Sequence, residues 1–400
     1  MIKLDSMLMI GSAGANVGKT ELACALLRKF SKDTEITGIK VTTIKAKDGQ
    51  CPRGGQGCGV CSSLEGDFCI TEEGNKSSNK DTARLLAAGA NRVFWLRVMR
   101  THLEEGIKAL LDIIGPDVIS ICESNSLRHV VEPGLFLMVE HQNLKRWKNS
   151  AQSVKKYADK IIVSNNTVYD SDPVRKQQIT SNGVNLGRIK LINRKWTIQQ
   201  QATAIIMAGG ESLRMGTDKS MLPIDGQPLI EKIAEQLQGS FEQILISANE
   251  PDKFAFLGLE VIPDKIRGQG PLMGIASALQ ASANELNFVV ACDIPNIDMQ
   301  FVRKMLAEAE DVDIVVPDTC DGKSEPLFAV YRRSALGAIN KVLSSGRRKI
   351  SDVFALCKVK YIELNDVEWL TNLNTMAEYE EFRNNCHFSF RINEGVKNGT

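Results

Sequence analysis

Two stretches of this 400-residue chain have residue types and spacings suited to phosphate chemistry. The first is Ala13-x-x-x-x-Gly18-Lys19-Thr20, with Gly14 inside it, directly after the apolar run Met7–Ile10. Glycines let successive N–H groups curl toward phosphate oxygens, and a helix predicted from about Thr20 to Phe30 turns its positive end to the same point. Lys19 would neutralise β/γ charge, and the Thr20 hydroxyl suits Mg²⁺. Alanine at 13 stands where this pattern usually has glycine. Glu123 follows the apolar run 118–122 and so sits where ligands meet a parallel sheet. It would hold the metal through water or position a nucleophile, with a solvated loop glutamate as the alternative.

The second stretch begins Met207-Ala208-Gly209-Gly210 and continues to Arg214 and Lys219. Glycines 209 and 210, without Cβ atoms, allow close approach of a triphosphate, and two cations can draw charge from it as a bond breaks. Asp293 ends the strand-like run 288–292, the position expected for a Mg²⁺ carboxylate, and Asp264 ends a similar run at 259–263. Gly268-Gln269-Gly270-Pro271 then opens a helix predicted to about Ala283, which again suits an anion or a base edge. A strand-end aspartate is often only a helix cap, so the ordered set carries more weight than any one member.

Four cysteines share one glycine-rich stretch: Cys51, Cys58, Cys61 and Cys69. Cys58-Gly59-Val60-Cys61 is a knuckle, and the four would hold either zinc or an iron–sulfur cluster, with a redox switch as a third reading. Cys24, Cys122, Cys292, Cys320, Cys357 and Cys386 read as small buried hydrophobes or surface residues. The four histidines show no ligand spacing.

Ala208-Gly209-Gly210 through Asp218-Lys219, Gly270-Pro271-Leu272-x-Gly274, Cys292-Asp293-Ile294-Pro295, the run 325–331, Gly346-Arg347-Arg348-Lys349 and Asn372-Leu373-Asn374-Thr375 closely resemble the molybdenum cofactor guanylyltransferases, the MobA family, over roughly Ala202 to Phe382. The first motif is shared by many sugar-phosphate nucleotidyltransferases; the 325–331 and Asn-x-Asn-Thr pieces narrow it. The resemblance implies a Rossmann-like nucleotidyltransferase fold that transfers GMP from GTP to Mo-molybdopterin, releasing pyrophosphate. It implies backbone contacts to GTP from Met207, Ala208 and Gly209, phosphate binding by Lys219, nucleotide binding by Asp264, and both nucleotide and Mg²⁺ on Asp293. The expected catalytic residues are Lys219 and Arg214, as cations beside the breaking bond, and Asp293. Ser247 stands where members commonly carry asparagine. Arg347 and Arg348 would meet the molybdopterin phosphate or lie on a solvated face; Asn372 and Asn374 would bond the pterin or cap the helix after them. The phosphate loop, with Asn79-Lys80-Asp81-Thr82-Ala83-Arg84 and Leu86-Ala87-Ala88-Gly89-Ala90, resembles the GTP-binding MobB family from about Leu8 to Asn165. Cytidylyl transfer, a sugar-phosphate substrate, and a GTP-dependent cofactor-delivery scaffold are the competing readings.

These residues need scaffolds. Each phosphate stretch follows a short apolar strand and precedes a helical pattern, so two α/β domains with parallel sheets are expected. The first is a P-loop NTPase-like domain over 1–193 with a cysteine-rich insert at 48–80. The second spans 202–383, with a polar linker between them and a frayed tail at 384–400. Lys+Arg 49 against Asp+Glu 48 gives a net charge of +1, against a protein that coats nucleic acid or an anionic membrane. No apolar run is long enough to span a bilayer, and no signal peptide is read. A cytoplasmic enzyme is expected, whose partners are GTP, Mo-molybdopterin and acceptor molybdoenzymes or cofactor-delivery proteins.

Overall fold

A computed structural model describes residues 1–44, 64, 66–164, 186–209, 218–318, 324–364, 372–373 and 375–384. The chain divides into two compact units, Met1–Ile198 and Gln199–Thr400. Among the described residues, no helix is long and apolar enough to cross a membrane.

The first unit holds a seven-stranded sheet built from β1 (Ile2–Ser12), β2 (Thr37–Ile44), β3 (Phe68–Glu72), β4 (Arg92–Met99), β5 (Ser120–Glu123), β6 (Val131–His141) and β7 (Lys160–Ser164), in the order β3-β4-β2-β5-β1-β6-β7. The central strand β1 is buried on both faces, as parallel strands covered by helices must be. Leu8 and Ile10 join a core with α1 (Lys19–Phe30) and α2 (Asp81–Ala87), whereas Met7 and Met9 join another with α3 (Leu103–Ile114) and the short α4 (Asn149–Gln152). The β1–β6 register shifts between Leu4 and Leu8, and Gly134 lies opposite that irregularity. A Cβ there would overlap the Asp5 carbonyl oxygen, backbone that cannot rotate away. Gly134→Ala is therefore expected to cost ~2–3 kcal/mol of stability in denaturant unfolding, with the nucleotide chemistry of the other unit unaffected.

Residues 193–201, expected as a linker, are ordered structure. Asn193 and Arg194 both take positive φ, 49° and 63°, and turn β8 (Ile189–Ile192) into β9 (Lys195–Ile198). The driving force is Trp196, fully buried and edge-on to Phe30 at 4.9 Å. A polar-looking segment with one large aromatic had a core to fill.

The second unit has its own seven-stranded sheet: β10 (Gln200–Met207), β13 (Phe241–Ser247), β14 (Glu260–Ile262), β15 (Leu286–Ala291), β16 (Ile314–Asp318), β17 (Phe328–Arg332) and β18 (Val359–Glu363), ordered β14-β13-β10-β15-β17-β16-β18. A small hairpin, β11 (Pro223–Ile224) with β12 (Gln227–Pro228), stands apart from it. Helices α5 (Leu229–Leu237) and α7 (Met299–Ala307) cover one face, and α6 (Pro271–Ala281) and α8 (Leu336–Ser344) the other.

Neither sheet is wholly parallel, contrary to expectation. β17 runs antiparallel to β15 and β16, and β3 antiparallel to β4. The short return from Asp318 to Phe328 is too brief for a helical crossover, so β17 can only come back beside its predecessor.

Candidate active and nucleotide-binding sites

In the second unit, three parallel strand ends converge. Met207 pairs with Ser247 on one side and Ala291 on the other. The Met207 carbonyl accepts from Cys292 N–H at 3.0 Å, and Ala208 N–H donates to the Ser247 carbonyl at 3.0 Å. The chain leaving β10 is thus pinned to both neighbours just before the glycines.

Asp293 follows β15 in this notch. Its Oδ2 lies 3.0 Å from Lys219 Nζ, with both side chains about four-fifths buried. Lys219 begins a 3-10 turn, Lys219–Met221, fixed by Asp218, whose Oδ1 accepts from Ser220 N–H at 3.0 Å and from its hydroxyl at 2.7 Å. The other carboxylate oxygen of Asp218 is ion-paired with Lys253. Asp218 therefore sets the turn that carries Lys219, and Lys253 sets Asp218. Cys292 is half-buried, and desolvation pushes its thiol up to about 12, with the adjacent Asp293 adding to the effect. It is a packing residue, not a nucleophile.

A second cluster stands at the start of α6. Gly270 caps that helix at φ 73° with no side-chain cap, so its first N–H groups have no side-chain acceptor there. A Cβ on Gly274 would meet Ser247 Oγ at 2.7 Å, Met207 Cε at 2.8 Å and Asp264 Oδ1 at 3.4 Å, so all three side chains converge over this glycine. Asp264 is held from two sides by Asn249, which donates to Oδ2 at 3.0 Å and accepts from Asp264 N–H at 2.9 Å. Sequence reasoning missed Asn249. Gly274→Ala should displace Ser247 and Met207 and raise the KM for nucleotide roughly tenfold in steady-state assays, a cost near 1.4 kcal/mol.

Asn372 adjoins the same strand end: Leu373 N–H donates to the Asp293 carbonyl at 2.9 Å. Asn372 Nδ2 donates to Glu325 Oε2 at 3.1 Å, and its Oδ1 is buried without a protein partner. It does not cap the following helix. Thr375 does: its hydroxyl accepts from Glu378 N–H at 3.2 Å while Glu378 accepts from Thr375 N–H at 2.7 Å. Arg347, Arg348 and Lys349 lie exposed after α8, where Arg347 Nε donates to the Ser345 hydroxyl at 3.1 Å and Arg348 to the Gly346 carbonyl at 3.2 Å. Gly210, Arg214 and Asn374 fall outside the described residues.

In the first unit, Gly18 takes φ 92° and caps α1 without a side-chain bond. Ser12 is fixed by Asn125, whose Oδ1 accepts its N–H at 2.8 Å and whose Nδ2 donates to its carbonyl at 3.0 Å. Leu144 packs within 3.3 Å of where a Gly14 Cβ would stand, and Lys148 N–H donates to the Ala13 carbonyl at 2.9 Å. Glu123 is fully buried at the end of β5, in register with Ile10. Its Oε2 accepts from the Thr20 hydroxyl at 3.2 Å and lies 3.6 Å from Lys19 Nζ, and its Oε1 has no protein partner. Glu123 is thus no loop glutamate: a buried, half-satisfied carboxylate facing a hydroxyl needs a further charge or donor.

Of the cysteine set, Cys51, Cys58 and Cys61 lie outside the described residues. Cys69 is on β3, where its sulfur accepts from Arg97 at 3.1 Å. No group of three metal-ligating side chains occurs among the described residues.

Residues 204–360 match the MobA-like NTP transferase domain. A probable molybdenum cofactor guanylyltransferase of Carboxydothermus hydrogenoformans is 38% identical over 189 residues, 46% of this chain and 95% of that protein. Through its C-terminal half, the chain belongs to the molybdenum cofactor guanylyltransferase family. A molybdenum cofactor guanylyltransferase of Syntrophotalea carbinolica is 31% identical over 189 residues, 90% of its own length. Among solved structures, molybdopterin-guanine dinucleotide biosynthesis protein A of Archaeoglobus fulgidus aligns with 98% of its chain and 46% of this one, at 23% identity and a TM-score of 0.42. The family is one of nucleotidyltransferases, so this chain is an enzyme of that class.

Proposed function

We propose that the C-terminal half transfers GMP from GTP to Mo-molybdopterin, forming the guanine dinucleotide cofactor and pyrophosphate. Membership of the guanylyltransferase family supports this over the cytidylyl and sugar-phosphate alternatives. The observation that carries the site assignment is the Lys219–Asp293 pair at 3.0 Å beside the pinned strand end.

Met207, Ala208 and Gly209 line the triphosphate path, and Gly210 is assigned to the same nucleotide from its sequence motif. Gly209 has neither a positive φ nor a crowded Cβ position, the nearest atom being 3.5 Å away. The protein's own packing does not demand glycine there, whereas a triphosphate passing close to the backbone would. Lys219, with Arg214, stabilises charge as pyrophosphate leaves. Asp264 and Ser247, with Asn249, take the nucleoside end over Gly274. Asn372, held by Glu325, and the exposed Arg347 and Arg348 receive the pterin and its phosphate. Asp293 suits Mg²⁺, since a single carboxylate plus substrate phosphates is a common magnesium donor set. Bound there, the ion would neutralise the phosphates and align the attacking and leaving oxygens.

The N-terminal half reads as a MobB-like accessory domain that binds GTP through Gly14, Gly18, Lys19 and Thr20. The unpartnered Glu123 Oε1 beside the Thr20 hydroxyl fits a second Mg²⁺. A cytoplasmic setting, close to molybdoenzymes that receive the cofactor, suits both halves.

The test is incubation with Mg²⁺, molybdopterin and either GTP or CTP, followed by mass analysis of the pterin. A GMP adduct formed faster than a CMP adduct is expected; a preference for CTP, or no adduct with either, would refute the assignment.

A further inference from the structure

The Asn79–Thr82 stretch carries part of the MobB-like resemblance, and it brings a carboxylate, that of Asp81, within electrostatic reach of Lys19. Asp81 opens α2 and is ion-paired with Lys40 of β2. Lys40 is in direct parallel register with Glu123 of β5, the residue that holds Lys19 and Thr20. In-register neighbours in a parallel ladder project to the same face of the sheet. That face carries both α1 and α2, tied to each other by the Arg84–Glu21 pair. Lys19–Glu123 and Lys40–Asp81 are thus two ion pairs side by side on one face of the sheet, level with the carboxyl end of β5. Partial burial alone would raise Asp81, but the Lys40 hydrogen bond and charge, with a contribution from Lys19, hold its carboxyl below the usual range. Both ammonium groups therefore lie within electrostatic reach of the same carboxylate.

We propose that Lys40 is a sensor of the terminal phosphate in the N-terminal site, exchanging the Asp81 carboxylate for that phosphate when a nucleoside triphosphate binds and keeping Asp81 when a diphosphate binds. The proposal rests on the reading of Gly14–Thr20 as a nucleotide site. Lysine suits the exchange: its ammonium is a compact charge on a flexible stem, and the Lys40 side chain is 23% exposed, so its head is open to a ligand. A terminal phosphate offers three oxygens and more negative charge than a carboxylate. Asp81, relieved of Lys40, is then left at the start of α2 with a changed partner, and this change, unlike any at Glu123, follows only from the terminal phosphate. Occupancy by triphosphate is thereby written into α2.

Calorimetric titration of the full chain with GDP and with a non-hydrolysable GTP analogue tests this. Subtracting the isotherm of Lys19→Ala isolates the N-terminal site from the C-terminal one. The unaltered chain should favour the triphosphate by roughly tenfold or more, the value of one charge-assisted contact. Lys40→Met should bring the two affinities within about threefold by weakening the triphosphate alone, and Lys40→Arg should keep the preference. Asp81→Asn removes the competitor and should strengthen triphosphate binding. Equal weakening of both nucleotides by Lys40→Met, or weaker triphosphate binding in Asp81→Asn, would overturn the exchange while leaving the nucleotide site intact. Absence of any Lys19-dependent binding in the unaltered chain would overturn the underlying reading and this one with it.

Discussion

Asp293→Asn should lower the kcat of guanylyl transfer by about 10³-fold, close to 4 kcal/mol of transition-state stabilisation. The substitution keeps the shape of the side chain and removes its charge. The main-chain carbonyl of residue 293 still accepts from Leu373 N–H, so the 372–373 segment stays attached to the strand end. Lys219 loses the carboxylate 3.0 Å away and with it one restraint on its ammonium. Two contributions therefore fall together: the oxygen donor for magnesium and the fixed position of the phosphate-facing cation. Because these act as a unit, Lys219→Ala alone should cost about 3 kcal/mol, and the double variant should lose less than the sum. Pyrophosphate release and pterin mass should be followed alongside the melting temperature, which should shift little because the substitution keeps the size and shape of the side chain. Activity within threefold of the unaltered enzyme would refute the metal and cation assignments at once.

The features legible in the sequence were those set by local pattern. A β-run ending in aspartate, followed by Ile-Pro, marks Asp293, because parallel strands bring ligand-facing groups to their carboxyl ends. The Gly-Lys-Thr turn placed the start of α1 within one residue of its observed position at Lys19. What escaped depends on pairing across long separations. Asn249 sits in a polar run, Ser247–Asp252, with the look of any loop; only the approach of β14 to β13 brings Asp264 against it. Lys40 is one lysine in an otherwise ordinary strand, and its importance comes from register with Glu123, more than eighty residues further on. Residues 193–201 have the polar composition of a linker, although one buried tryptophan makes β9 part of a hairpin with β8. The antiparallel return of β17 was hidden for a different reason: strand and helix alternation gives no measure of how short a connection is.

Lys19→Ala should reduce nucleotide affinity at the N-terminal site by about 10²-fold or more while leaving guanylyl transfer within twofold. The affinity loss combines a charge-assisted phosphate contact with the exposure of Glu123 to an unbalanced site. Glu123 is fully buried, and without Lys19 its carboxylate keeps only the Thr20 hydroxyl among its observed partners. Breaking a fully buried pair typically costs 3–5 kcal/mol, but the Lys19 side chain is 25% exposed, so a stability loss of ~1–2 kcal/mol is the reasonable expectation. Lys19→Arg, which keeps the charge on a longer, planar head, separates the two effects: it should recover stability without recovering full affinity, since the glycine turn suits a slender ammonium. Nucleotide titration and pterin turnover measured on the same preparation give both readouts. If transfer fell in step with N-terminal binding, the halves would be working as one GTP-gated unit, and the accessory role assigned to the first would have to be abandoned. If transfer held while binding was lost, catalysis would need only the strand ends, the Lys219–Asp293 pair and the triphosphate they face.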